Sequence, residues 1–206
     1  MRENKRAFEE MRRVAVGWLA GREPEDIARR AGIVYDAARA EFQLTSLGRE
    51  LRLRWPECEL AGECGNWHEL LLLHYLHRAE GTPLSQRIIT FAELRDGMVR
   101  GGGFDRDSAA RLSHLLDAFG PPAVTRACAA LGAEFTASNA DLCAVFALFP
   151  RFPMTLKWWF ADDEFPASAR LLLNAAADHY LTIEDAVTAG EVLLAELEAQ
   201  LNRPQA

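Results

Sequence analysis

Residues 40–56 read "AEFQLTSLGRELRLRWP", and the spacing of their apolar side chains decides the fold class. Phe42 and Leu44 alternate with polar neighbours. Ser46-Leu47-Gly48 offers a turn, and Leu51, Leu53 and Trp55 then alternate with Arg52 and Arg54. Successive side chains of a strand point to opposite faces, so two such runs about a turn make a hairpin with one apolar face. The stretch "LCAVFALFPRFPMTLKWWF" at 142–160 repeats the device around Pro150–Pro153, with Trp158 and Phe160 on one face and Trp159 on the other. "RIITFAEL" at 87–94 reads as one more short strand.

Helical spacing fills the rest. Phe8, Met11, Val14, Ala15, Trp18 and Leu19 form an apolar stripe that stops at Gly21. Pro24 with Glu25 and Asp26 opens a short helix that ends near Gly32. Further helices are predicted over 67–80, 106–118, 122–131, 166–180 and 183–201. "GGGFD" at 101–105 reads as a flexible connection, and Thr182 with Asp185 as a capping box. Strands and helices in no strict alternation give an α+β fold of antiparallel hairpins packed with six to seven helices. It is predicted as a single compact domain over 32–201, with an N-terminal helical cap over 1–31 and a disordered tail over 202–206.

Composition narrows the function classes. The formal charge of −7 and the lack of a lysine/arginine-rich run argue against nucleic acid as a partner. No apolar stretch approaches the roughly 20 residues a membrane helix needs. The charged opening "MRENKRAFEEMRR" lacks the apolar centre of a signal peptide, so a cytoplasmic protein is expected. The four cysteines, Cys58, Cys64, Cys128 and Cys143, make no Cys-x-x-Cys pair, which argues against a zinc or iron–sulfur site built from them alone.

Two segments carry candidate chemistry. His-Tyr-Leu occurs at 74–76 and again at 179–181, in a chain with five histidines and three tyrosines. His74 sits among leucines, with His77 one turn on; a histidine pair spaced i, i+3 can share a metal, while the structural alternative is a hydrogen-bonded core imidazole. Ala175 and Ala176 flatten the face before His179, which admits a close neighbouring helix or a flat ligand ring. The second segment is "WWFADDEFP" at 158–166. Asp162, Asp163 and Glu164 leave an aromatic strand as catalytic or metal-binding carboxylates do, and equally as the acidic start of a proline-opened helix. "PEDIARRAGI" at 24–33 matches the first half of a helix-turn-helix, but a strand pattern replaces the recognition helix.

The order of "AGIVYD", "FQLTSLGRELRLRWP", "LLLHYLHRAEGTP", "ITFAEL", "LDAFG", "FPRFP", "DDEFPASARLLLNAAADHYL" and "EDAVTAGEVLLAEL" resembles an uncharacterised family of anaerobic bacteria and archaea over about residues 30–198. The resemblance implies context: some members are joined to a four-cysteine iron–sulfur segment, and others occur beside corrinoid and one-carbon proteins. The N-terminal extension of this chain has no cysteine, so no built-in cluster is expected. Together these features suggest an accessory protein binding a metal-containing cofactor, corrinoid or haem-like. His74, His77 and His179 would be ligands, Tyr75 and Tyr180 their support, and Trp158 or Trp159 an apolar wall. A corrinoid or iron–sulfur protein is the implied partner. Two rivals stand beside this: an interaction module with structural histidines, and a hydrolase or transferase using Asp162–Glu164 with His179.

Overall fold

The hairpins build two antiparallel sheets. β1 (Val34–Asp36), β2 (Glu41–Ser46), β3 (Arg49–Arg54) and β4 (Glu59–Ala61) pair in chain order. Phe42 faces Leu53 and Leu44 faces Leu51, so the apolar sets of both strands share one buried face, as their alternation requires. The second sheet comprises β5 (Ile88–Ile89), β6 (Glu134–Phe135), β7 (Leu142–Phe149), β8 (Phe152–Trp159) and β9 (Ser168–Asn174), ordered β5-β9-β8-β7-β6. The computed structural model describes residues 2–203. Asn202 and Arg203 of the expected tail are described, Asn202 as the cap of the last helix, while 204–206 lie outside the described residues.

Five helices cover the sheets: α1 (Arg2–Leu19), α2 (Pro24–Ala31), α3 (Asn66–Arg78), α4 (Gly97–Ala130) and α5 (Ile183–Leu201). None is long and apolar enough to cross a membrane. The inner face of the five-stranded sheet presents Phe146, Met154, Leu156, Trp158, Leu171 and Leu173, all buried in one core with Leu112 of α4 and Leu193 of α5. A backbone hydrogen bond from the Leu47 N–H to the Ala147 carbonyl, 2.9 Å, joins the two sheets. The expected capping box is present: Thr182 accepts from the Asp185 N–H, and Asp185 reaches back to Thr182.

Five helical elements among the described residues replace the expected six to seven, and one of the five is broken in two. Residues 166–180 are not a helix. Ser168–Asn174 is strand β9, and Ala177–His179 is a single 3₁₀ turn. The Leu/Ala-rich run has good helix propensity, but pairing with β8 on one side and β5 on the other overrides it, because Ala169, Leu171 and Leu173 complete the buried face. The expected helices at 106–118 and 122–131 are both present within α4, as two helical segments that meet at Gly120, where φ is 74° and ψ 162°, and the first of them begins earlier, at Gly97.

"GGGFD", expected as a connection, lies inside α4. Gly101 faces the 3₁₀ turn Phe91–Glu93, where a Cβ would stand 2.2 Å from the Phe91 carbonyl oxygen. One turn on, the two carboxylate oxygens of Asp105 accept from the Phe91 and Ala92 N–H groups, each at 3.0 Å. Gly101→Ala should therefore destabilise by about 1–3 kcal/mol through overpacking. Helix propensity alone gives the opposite sign, about 1 kcal/mol in favour of alanine. Gly103, with open space around it, is the control and should gain from the same change. Urea midpoints of the two variants check this; the same sign at both positions would contradict the packing.

Candidate functional site

A concavity of about 930 Å³ opens on the outer face of β8 and β9. Because side chains alternate, burying Leu156 and Trp158 sends Lys157 and Trp159 outward, and burying Ala169 and Leu171 sends Ser168 and Arg170 to the same side. The register sets Lys157 directly opposite Arg170 and Trp159 opposite Ser168. The rim comes from the segment carrying Asn139 and Asp141 and from the Phe160–Pro166 loop.

Hydrogen bonds hold this groove in shape. The Trp159 indole N–H donates to the Asn139 carbonyl at 2.9 Å, which fixes the ring by its edge. Lys157 Nζ donates to Asn139 Oδ1 at 3.0 Å. The rim carboxylates are occupied by backbone: Asp141 accepts from the Phe160 N–H at 2.8 Å, and Asp162 accepts from those of Glu164 and Phe165 at 2.9 and 2.7 Å. Those two backbone bonds hold the Asp162 carboxyl below the usual range. Among the described residues neither Lys157 nor Arg170 forms an ion pair, although arginines elsewhere do, as Arg111 does with Glu191 and Glu198. Like charges directly opposite across a strand pair are destabilising. The floor of the groove is thus a pair of cations without an ion-pair partner among the described residues, beside a half-buried indole and below the rim carboxylates of Asp141 and Asp162.

The repeated tripeptide is brought together through its tyrosines. The Tyr75 and Tyr180 rings stack with centroids 5.7 Å apart, and Phe149 stacks on Tyr75 at 4.6 Å. The Tyr75 hydroxyl donates to the Ala31 carbonyl at 2.5 Å and accepts from the Arg151 N–H at 3.1 Å; the Tyr180 hydroxyl donates to the Thr82 carbonyl. Each imidazole has its own carboxylate instead: His74 Nδ1 donates to Asp185 at 2.7 Å, and His179 Nδ1 to Glu80 at 2.5 Å. His179 stands in the 3₁₀ turn after β9, not in the expected helix. Burial opposes the charge of Asp185, but the bonds from His74 and Thr182 outweigh it and lower its pKa. Trp18 of α1 covers both His74 and His77, at 5.2 Å from each ring. His77 Nδ1 is buried without a partner, and burial lowers the pKa of that ring.

The two tripeptides meet through the tyrosine stack. Among the described residues no three His, Cys, Asp or Glu side chains are placed to hold a metal ion. Burial pushes the Cys58 and Cys64 thiols up to about 11 and that of Cys128 to about 12. Trp158 is wholly buried in the sheet core, which leaves Trp159 as the tryptophan that can wall a ligand site. Asp163 and Glu164 are exposed on the rim loop. Asp162 precedes β9 and His179 follows it, and the seven residues of that strand span roughly 20 Å.

Sequence reading passed over His68. It is 2 % exposed on the first turn of α3, where its Nε2 meets Ser46 Oγ at 2.7 Å. The Ser46 hydroxyl donates to the Leu148 carbonyl, so the imidazole donates through Nε2 and leaves Nδ1 as a buried, unpaired acceptor. Nothing in "NWHEL" signals this, because the partner arrives from the other end of the β2–β3 hairpin.

No match to the chain was found among curated proteins or among solved structures. A family model does match residues 23–196, which takes in both sheets and leaves α1 outside. By that match the chain belongs to the family described as Domain of unknown function (DUF3786).

Proposed function

We propose that the chain is a binding protein for a small anionic ligand, held in the groove on the outer face of β8 and β9. The observation that carries this reading is the placement of Lys157 opposite Arg170 with no ion-pair partner among the described residues. An arrangement that costs the free protein stability is relieved by an anion bridging the two side chains. In a chain with a formal charge of −7, such a pair of cations is a place where an anion gains. The test is thermal unfolding at low salt, with and without phosphate- and carboxylate-bearing compounds. An anion at 100 times its Kd contributes about 2.7 kcal/mol, or roughly 5–10 °C in a chain of this length. Arg170→Gln and Lys157→Gln should abolish that rise while leaving the free protein as stable or slightly more so. If no anion raises the transition, or if the variants keep the full rise, the reading fails.

A metal-containing cofactor is the second reading, favoured by the two imidazole–carboxylate pairs. A histidine whose Nδ1 is held by a carboxylate presents Nε2 to a metal in the correct tautomer, as metal-ligating histidines do. Absorption spectra with haemin and with a corrinoid test it: His74→Leu and His179→Leu should each remove a spectral change that the unaltered protein shows. No change in the unaltered protein would dismiss this reading.

A further inference from the structure

The groove specifies more than charge. Trp159 lies two residues beyond Lys157 on one strand, and it is the diagonal neighbour of Arg170 across the pair. Diagonal cross-strand neighbours stand about 7–8 Å apart, within reach of one small molecule. The indole is tied by its edge to the Asn139 carbonyl and is only half-buried, so its position is set and it retains exposed ring surface. Phe165 stands on the rim, 66 % exposed, as a second aromatic surface above the same floor. Two cations from adjacent strands can converge on one group with several oxygens, and Arg binds such groups through two parallel bonds. The site therefore asks for a flat ring at one end and a multi-oxygen anion at the other, joined by a short polar linker. Ser168, opposite Trp159, supplies a hydroxyl beneath that linker.

On that basis we infer that the groove takes a mononucleotide, with the base stacked on Trp159 and the phosphate between Lys157 and Arg170. The inference rests on the anion-binding reading above and adds the ring. A polynucleotide is disfavoured by the acidity of the chain, which would repel a second and third phosphate. A volume of about 930 Å³ lies within the range of small-ligand sites.

The experiment is calorimetric titration of the full chain with AMP, UMP, adenosine, ribose 5-phosphate and inorganic phosphate. AMP should bind at least tenfold more tightly than adenosine, ribose 5-phosphate or phosphate, since stacking of a base on an aromatic side chain is sequence-tolerant but substantial. UMP should follow with a smaller advantage, its ring being smaller. Trp159→Leu should bring AMP down to the affinity of ribose 5-phosphate, and Arg170→Gln, at an exposed position, should weaken every phosphate-bearing probe. Equal binding of AMP and inorganic phosphate would overturn the nucleotide inference and leave the anion site standing. Binding of no probe would overturn both, and AMP binding unchanged by Arg170→Gln would place the ligand elsewhere and overturn both as well.

Discussion

Trp158→Ala should destabilise the protein by about 3–5 kcal/mol, the range for removing a fully buried aromatic side chain. The indole has no exposed surface, packs between the inner face of the sheet and α4, and donates through Nε1 to the Leu112 carbonyl at 3.3 Å. Its removal leaves a cavity where a close-packed interior cannot collapse fully. Trp159→Ala, one residue on, should cost about 1 kcal/mol, because that ring is half-buried on the outer face and its loss opens no interior void. The pair is a direct assay of the alternation that creates the groove. Urea unfolding of both variants measures it, and equal costs would mean that the two faces of β8 are misassigned.

Acidification from pH 6.5 to pH 4 should remove about 3 kcal/mol of stability through His68 alone. Burial, with a smaller contribution from nearby Arg49, lowers the pKa of this ring to about 4. The unfolded value is about 6.5, so the displacement corresponds to about 3 kcal/mol at 1.36 kcal/mol per unit. In this window the unfolded chain binds the proton and the folded chain does not. Stability is therefore complete above pH 6.5, falls as the pH drops, and levels off below pH 4 as far as this group is concerned. His77, whose pKa is also lowered by burial, adds in the same direction. His68→Leu isolates the buried group: the variant loses the imidazole bond to Ser46 at every pH but should show a flatter slope between pH 6.5 and 4. Parallel slopes for the two proteins would contradict the assignment.

How much of this was legible follows from which signals are local. The β2–β3 hairpin and the β7–β8 hairpin declared themselves through period-two alternation, and the Thr182–Asp185 cap through a spacing of three. The repeated His-Tyr-Leu did mark a place where distant segments meet. Which side chain made the contact was not legible, because the stack of Tyr75 on Tyr180 depends on the turn after β9. That strand was the costliest miss. With "SARLLLNAAAD" read for its helix-forming leucines and alanines, Arg170 had no register with Lys157, and the groove floor could not be assembled. Trp159 and Asp162 were singled out, yet the two cations that give Trp159 its meaning lie thirteen residues apart in sequence and directly opposite in space. Gly101 was misread for a related reason: glycine signals both a loop and a close approach, and only the position of the Phe91 backbone distinguishes them.

Amide and indole NMR of the uniformly ¹⁵N-labelled protein titrated with AMP tests whether the outer face of β8 and β9 is the ligand site. The Trp159 indole N–H, bonded to the Asn139 carbonyl, is a single resonance inside the groove. That resonance and the backbone amides of Lys157, Ser168 and Arg170 should shift the most and saturate together. Largest shifts instead around Tyr75, His179 and Glu80, with the Trp159 indole unmoved, would contradict this placement.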